Sequence, residues 1–129
     1  MMSEKPLILV VDDESDSLAY LFDLLHNEGY RVLPTSSPLE ALDYARKKRP
    51  DLIISDIRMP DLDGLELLER VRSVSPRTRV ILLTAYGDWK MLQDVIRKGG
   101  EAMLLKPSSN EEILRSVQKA LEEVERCSP

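Results

Sequence analysis

The sequence lacks the features that would place the protein outside the cytoplasm. It has one cysteine, Cys127, which cannot form a disulfide within the chain and predicts no role of its own. No apolar stretch approaches the roughly 20 residues that a membrane-spanning helix needs. The first residues also lack the apolar core of a secretory signal. We therefore expect a cytoplasmic protein without a membrane partner.

A net positive charge is absent as well, because 23 acidic residues outnumber 18 Lys and Arg residues. The formal net charge of −5 argues against the broad basic surface that nucleic-acid binding requires, so we expect no direct nucleic-acid partner. The one basic cluster, residues 46–49, precedes Pro50 at a predicted helix end, where cations complement the helix dipole. Neither a Walker loop nor a G-x-G-x-x-G motif follows the first apolar run, so the chain has no evident nucleotide cradle. We therefore expect no nucleotide to be bound through such a motif.

Five short apolar runs alternate with amphipathic patterns along the 129 residues. The runs are residues 7–11, 30–33, 52–55, 80–83 and 102–105. Unbroken runs of this length indicate strands covered on both faces, and the amphipathic segments between them indicate helices. The alternation predicts a single α/β domain over residues 1–129, a doubly wound five-stranded parallel sheet with five helices.

Capping residues mark several helix starts. Ser37 with Glu40, and Ser109 with Glu112, each have the spacing of a capping box, in which the two residues exchange hydrogen bonds. Asp63 marks a third start. The stripe that we expect this third helix to bury consists of Leu65, Leu68 and Val71.

Polar side chains stand at the carboxyl end of four predicted strands. Asp12 and Asp13 follow the first strand, Asp56 the third, Thr84 the fourth and Lys106 the fifth. Taken singly, each has an ordinary explanation, such as a helix cap, strand filler or a solvated terminus. The carboxyl ends of parallel strands meet at one edge, where open sheets bind ligands, so we expect these side chains to converge on a site.

The chemistry of this set points to phosphate. Three clustered carboxylates repel one another, which would raise their pKa values unless a cation intervenes. Oxygen ligands at this density suit Mg²⁺. The ammonium of Lys106 and the hydroxyl of Thr84 suit phosphoryl oxygens. With no cysteine or suitably placed serine nearby, the obvious nucleophile is a carboxylate, as in ATPases that form an aspartyl phosphate.

Short motifs surround these strand ends: Val10-Val11-Asp12-Asp13-Glu14, Asp56-Ile57-Arg58-Met59-Pro60 with Asp63-Gly64, Leu83-Thr84-Ala85 and Lys106-Pro107. In combination they resemble the motifs of bacterial response-regulator receiver domains, the phospho-accepting half of two-component systems. The resemblance covers essentially the whole chain. It implies a flavodoxin-like fold with strand order 2-1-3-4-5 and a Lys-Pro peptide that is usually cis.

The resemblance also implies a role for each site residue. Asp56 matches the phospho-acceptor, and Thr84 and Lys106 match the groups that contact the phosphoryl oxygens. Asp12 matches the member of the acidic pair that acts on the metal largely through water. The expected Mg²⁺ site consists of Asp12, Asp13, Asp56 and the backbone carbonyl of Arg58.

The implied function is phosphorelay signalling. Asp56 would accept a phosphoryl group from the phosphohistidine of a sensor histidine kinase or a phosphotransfer protein. Partner binding would then switch through the face formed by the fourth helix, fifth strand and fifth helix. The chain would not be an enzyme beyond Mg²⁺-dependent self-phosphorylation and slow self-dephosphorylation. The resemblance names no output domain or protein, and it leaves a phosphorylation-dependent homodimer open.

One departure from the family pattern keeps an alternative open. Three residues before the lysine the family usually carries a tyrosine or phenylalanine that turns inward on activation, and here Met103 stands. The alternative is a receiver-shaped adaptor that binds partners without phosphorylation. A phosphatase of the haloacid-dehalogenase type also uses a strand-end aspartate, but it needs an acidic aspartate two residues later, where this chain has Arg58.

Overall fold

The computed structural model describes residues 5–127, with the side chains of residues 5–122, so the side chain of Cys127 lies outside the described set. The strands are β1 (Leu7–Val11), β2 (Arg31–Thr35), β3 (Leu52–Asp56), β4 (Arg79–Thr84) and β5 (Ala102–Leu105). The helices are α1 (Ser15–Asn27), α2 (Pro38–Lys48), α3 (Gly64–Val74), α4 (Trp89–Arg97) and α5 (Asn110–Cys127). None of the helices within this described range is long and apolar enough to cross a membrane.

The strands form one parallel sheet in the order β2-β1-β3-β4-β5, which confirms the predicted fold class. The central strands β1, β3 and β4 are almost completely buried, as expected of strands with helices on both faces. The pairing places Val11 beside Ser55 and Asp56 beside Leu83. The carboxyl ends of the central strands therefore finish at nearly the same level.

Alternate residues of the central strands pack on opposite faces of the sheet. On one face, Leu9 and Ile53 belong to a core shared with α2, α3 and α4. On the other face, Ile8 and Ile54 belong to a core shared with α1 and α5. Because both faces are covered, polar side chains of the central strands reach solvent only at the strand ends.

The second strand is longer than predicted. The apolar run suggested residues 30–33, but β2 runs from Arg31 to Thr35 and includes Pro34. Proline is tolerated there because β2 lies at the edge of the sheet. The backbone N–H of Arg31 donates to Pro6 at 3.1 Å, and N–H groups alternate sides along a strand, so the nitrogen of Pro34 faces away from β1.

Helix α3 buries Leu68 and Val71 as predicted, but Leu67 rather than Leu65 completes the buried stripe. Asp63 caps the helix as expected, because its side chain accepts from the backbone N–H of Glu66 at 2.9 Å. Leu65 is only half-buried, although it packs against the same core. With the helix starting at Gly64, the inward face follows the three- and four-residue spacing of a helix. The buried residues are Gly64, Leu67, Leu68 and Val71.

Only one of the two predicted capping boxes is complete. At α5, the N–H of Glu112 donates to Ser109 at 3.1 Å and the N–H of Ser109 donates back to Glu112 at 3.4 Å. At α2, Ser37 accepts from the N–H of Glu40, but the Glu40 carboxylate accepts from the hydroxyl of Thr35 instead of from Ser37. Thr35 takes the place of Ser37 because β2 extends to Thr35, which brings its hydroxyl next to the start of α2.

Arg49 ends α2 in the left-handed region, with φ 45° and ψ 62°. We expect Arg49→Gly to have a free energy of unfolding about 1 kcal/mol higher than Arg49→Ala, since glycine adopts this conformation without a Cβ penalty. Both variants remove the same charge, so their difference isolates the backbone strain. Urea denaturation at pH 7 measures it, and equal midpoints would contradict the assigned strain.

Candidate functional site

The predicted site residues lie at one edge of the sheet, around a cleft of about 310 Å³. Asp56 and Thr84 are the last residues of β3 and β4, and Lys106 directly follows β5. Asp12 directly follows β1 and is buried beside this cleft. The residues that line the cleft are Asp13, Glu14, Asp56, Arg58, Thr84, Ala85, Tyr86 and Lys106.

Three carboxylates crowd together at this edge. One carboxylate oxygen each from Asp12, Asp13 and Asp56 lies within 4.8 Å of the others. Asp12 is fully buried, Asp56 is nearly so, and Asp13 is exposed. Oδ1 of Asp12 accepts from the N–H of Glu14 at 3.0 Å, whereas its Oδ2 is buried without a hydrogen-bond partner. A buried acceptor without a donor is costly, so the arrangement favours a bound cation.

Lys106 is the cation that faces these carboxylates. Its Nζ lies 3.3 Å from Oδ1 of Asp56 and 3.6 Å from Oδ2 of Asp12. The backbone holds the lysine in place, because its N–H donates to the carbonyl of Thr84 at 2.8 Å. The Lys106-Pro107 peptide is cis, as the resemblance implies. The ammonium of Lys106 thus interacts with the carboxylates of both Asp12 and Asp56.

Burial shifts the ionisation of two of the acids. The pKa of Asp12 is raised chiefly by desolvation, and the N–H of Glu14 and the charge of Lys106 oppose the shift. The pKa of Asp56 is also raised chiefly by desolvation, with Lys106 acting against it by charge and by hydrogen bonding. Burial, and to a lesser extent the neighbouring carboxylates, therefore makes the ionised forms of Asp12 and Asp56 less favourable than they would be in water.

The loop after β3 fits closely against Asp56. A Cβ added to Gly64 would lie 2.6 Å from the backbone oxygen of Asp56 and 2.8 Å from Cα of Ile57, so only glycine fits there. The N–H of Gly64 donates to the carbonyl of Ile57 at 2.8 Å. The hydroxyl of Ser55 donates to the carbonyl of Asp56 at 2.9 Å. These contacts hold Asp56 at the start of a tight loop.

Thr84 and Arg58 both line the cleft. Thr84 is buried, and its hydroxyl accepts from the N–H of Tyr86 at 3.1 Å. The guanidinium of Arg58 lies 4.6 Å from the centroid of the Tyr86 ring, a cation–π contact that links the loops after β3 and β4. A side chain two residues after Asp56 is thus held beside the cleft.

The donor set fits a hard divalent cation. It offers carboxylate oxygens from Asp12, Asp13 and Asp56 with no nitrogen or sulfur ligand, the composition that Mg²⁺ favours. Oδ2 of Asp12 is buried without a hydrogen bond and faces the Lys106 ammonium only at 3.6 Å, so its charge is available to a further cation. Arg58, whose backbone carbonyl is the remaining expected ligand, lies in the loop after β3 and lines the same cleft.

A larger cavity adjoins the cleft and was not predicted from the sequence. It has a volume of about 620 Å³, and Asp12 and Lys106 contribute to its wall. Tyr20 lies on this wall and is 50% exposed. The only sign of this cavity in the sequence was Tyr20 itself, an aromatic residue on α1 outside the buried stripe of that helix. The remaining walls come mainly from Leu21, Leu83, Pro107 and Ile113.

Comparison with known proteins gives consistent matches. A family model described as the response regulator receiver domain matches residues 8–118. The chain is 38% identical over 121 residues to sporulation initiation phosphotransferase F of Bacillus subtilis, covering 94% of this chain and 96% of that protein. It is 34% identical to the transcriptional regulatory protein ZraR of Klebsiella oxytoca, covering 94% of this chain but only 27% of that longer protein.

Solved structures agree with the sequence relatives. A response regulator receiver domain protein from Clostridium thermocellum has a TM-score of 0.90 and 30% identity, covering 95% of this chain and 99% of that one. A CheY-like receiver domain protein from Methanospirillum hungatei JF-1 has a TM-score of 0.92 and 28% identity, covering 97% of this chain and 100% of that one.

The raised pKa of Asp56 makes a prediction about stability. A folded state with a raised carboxyl pKa binds protons more tightly than the unfolded state, so its free energy of unfolding falls as the pH rises through the window above the ordinary value of 3.8. In chelator-treated buffer, Asp56→Asn should therefore be more stable than the original protein at pH 7, and the gain should shrink toward pH 3.8. Urea titrations across pH measure this.

Asp23→Asn, which removes an exposed carboxylate of α1, is the matched control for the change in net charge. A stability gain for Asp56→Asn that stays constant with pH would contradict the assigned shift.

Proposed function

Since this chain belongs to the response regulator receiver domain family, we propose that it accepts a phosphoryl group on Asp56 and changes its binding to a partner protein as a result. Receiver domains receive phosphoryl groups from histidine kinases or phosphotransfer proteins, and they are signalling modules rather than enzymes in the usual sense. The donor in this proposal is a phosphohistidine on such a protein.

The observation that carries the proposal is the position of the Asp56 carboxylate. It ends a buried central strand, faces the cleft, and has an ammonium 3.3 Å away and two further carboxylates within 4.8 Å. A carboxylate that is partly desolvated yet still reachable suits a nucleophile, and an adjacent cation suits the charge of a transferring phosphoryl group.

The chemical step is an in-line displacement at phosphorus. An ionised carboxylate oxygen of Asp56 forms the new P–O bond while the P–N bond to the donor imidazole breaks, and the bonding electrons return to the ring nitrogen. Lys106 would stabilise the negative charge on the phosphoryl oxygens, and the Thr84 hydroxyl would donate to one of them. Nearly all of the protein's contribution is therefore positioning and charge.

We further propose Mg²⁺ as the cofactor. Its ligands would be the carboxylates of Asp13 and Asp56 and the backbone carbonyl of Arg58, with Asp12 acting largely through water. When bound, the ion would supply positive charge that offsets the crowded carboxylates and the incoming phosphoryl oxygens. Oδ2 of Asp12, which is buried without a hydrogen bond and lies 3.6 Å from the Lys106 ammonium, supports this assignment.

Signal output in this proposal uses the surface of α4, β5 and α5. Drawing the Thr84 hydroxyl toward the phosphoryl group would shift an existing equilibrium between two arrangements of that surface. Three large apolar side chains on α4 and β5 are already more than half exposed: Trp89, Ile96 and Leu105. We place this signalling in the cytoplasm, with residues 1–129 acting as one receiver domain without direct nucleic-acid contact.

A phosphorylation-independent adaptor is the second candidate. Met103 favours it, because the family's usual aromatic switch residue is missing at that position. The pairing of Lys106 with both Asp12 and Asp56 argues against it, since an adaptor has no need for a charged cleft. A partner whose affinity is the same for the phosphorylated and unphosphorylated protein would favour the adaptor.

Phosphorylation is tested directly with a small phospho-donor. Incubation with phosphoramidate and Mg²⁺ should add one phosphoryl group by intact-protein mass spectrometry, and Asp56→Asn should abolish the addition. Lys106→Ala should slow it by about a hundredfold, because one charge-stabilising donor is lost. Lys98→Ala is the matched control, since Lys98 pairs with Glu69 on the surface. Undiminished labelling of the Asp56→Asn variant would refute the assignment.

Metal binding should appear as a gain in stability. A ligand at a concentration 100 times its dissociation constant stabilises the folded state by about 2.7 kcal/mol, so Mg²⁺ should raise the melting temperature of the original protein. Asp13→Asn should lose most of this gain, whereas Asp23→Asn on α1 should keep it. An equal Mg²⁺ effect on both variants would rule out the proposed ligands.

A further inference from the structure

Three methyl groups meet above the Cα of Gly87, in the loop that follows β4. A Cβ added at this position would lie 2.7 Å from Cδ2 of Leu105, 2.8 Å from Cγ2 of Thr84 and 2.9 Å from Cε of Met103. The positive-φ glycines in the described part of the chain are Gly29 and Gly99, so the backbone of Gly87 does not itself require glycine. The missing side chain matters here because it leaves room for these methyl groups.

The packing of the Thr84 methyl fixes the position of its hydroxyl. Both groups are carried by the same Cβ, and a β-branched side chain has few low-energy rotamers. In the observed rotamer the methyl points into the space above Gly87, and the hydroxyl accepts from the N–H of Tyr86. Contacts to the methyl therefore determine where the hydroxyl stands relative to the cleft.

The same cluster reaches the protein surface. Thr84 is 1% exposed and lines the cleft, Met103 is half-buried, and Leu105 is 55% exposed. Methionine is unbranched and flexible, so it can follow a neighbouring side chain that changes rotamer. The contact over Gly87 thus joins the cleft to the exposed part of β5 without an aromatic side chain.

We propose that Gly87 and Met103 are positioning residues that set the rotamer of Thr84, and through it the place where the hydroxyl meets a phosphoryl oxygen. The reaction itself rests on the proposed function, but the rotamer claim concerns the unphosphorylated protein. Conversely, when Thr84 changes rotamer, its methyl group displaces Cε of Met103 and Cδ2 of Leu105. This contact takes the place of the aromatic residue that the family usually carries at position 103.

The rotamer claim is tested by NMR on the full chain without phosphorylation. Three-bond couplings to Cγ2 of Thr84 should report one rotamer in the original protein and a changed or averaged rotamer in both Gly87→Ala and Met103→Ala. Leu105→Ala should have a smaller effect of the same kind. Leu39→Ala is its matched control, because Leu39 on α2 is also 55% exposed and should leave the couplings unchanged.

The link to chemistry is tested by a double-mutant cycle with Thr84→Ser, which keeps the hydroxyl and removes the methyl. Gly87→Ala should slow phosphorylation by phosphoramidate about tenfold when residue 84 is threonine, the size expected when a side chain is forced out of its preferred rotamer. In the Thr84→Ser background the same change should slow phosphorylation much less, because residue 84 then has no methyl group for the added Cβ to displace, although Leu105 and Met103 still meet it.

Unchanged Thr84 couplings in Gly87→Ala and Met103→Ala would overturn the inference, as would equal slowing in the two backgrounds of the cycle. If Gly87→Ala does not fold, the couplings of Met103→Ala decide the rotamer claim alone. Failure of the original protein to be phosphorylated on Asp56 would refute the proposed function instead. The couplings would still decide how Thr84 is positioned.

Discussion

The site depends on one electrostatic constraint: three carboxylates are crowded at the edge of the sheet, and Lys106 is the cation that faces two of them. Burial raises the pKa of both Asp12 and Asp56, and only the lysine and a few N–H donors oppose the shift. The sheet imposes this crowding, because β1 and β3 are neighbours and end at the same level. Hydrophobic packing of the strands thus holds in place a polar arrangement that would not assemble alone.

The parts of the structure that could be predicted from the sequence are those set by local pattern. Unbroken apolar runs located the central strands, and the polar residue after each run located the cleft. The predictions failed where a tertiary contact decided the outcome. Thr35 takes the hydrogen bond expected between Glu40 and Ser37, because β2 continues past the apolar run. The cluster over Gly87 could not be predicted either, since it joins side chains from separate segments whose register no local pattern specifies.

The two links between the cleft and its surroundings differ in strength. The cation–π contact of Arg58 and Tyr86 lies at the surface, where Tyr86 is 68% exposed, so it contributes only about 0.5 to 1 kcal/mol. The packing around Thr84 is buried, and moving that side chain disturbs several neighbours at once. Breaking the surface contact therefore disturbs less of the structure than moving Thr84 does.

Pro34 affects the tendency of this protein to aggregate at high concentration. The outer edge of β2 would offer unpaired N–H groups to a strand of another molecule, and such edges are templates for aggregation. The nitrogen of Pro34 faces this outer side and carries no hydrogen, so an added strand would find a donor missing in the middle of the edge. Pro34, which lies in β2 beyond the apolar run, therefore opposes the addition of a strand from another copy of the protein.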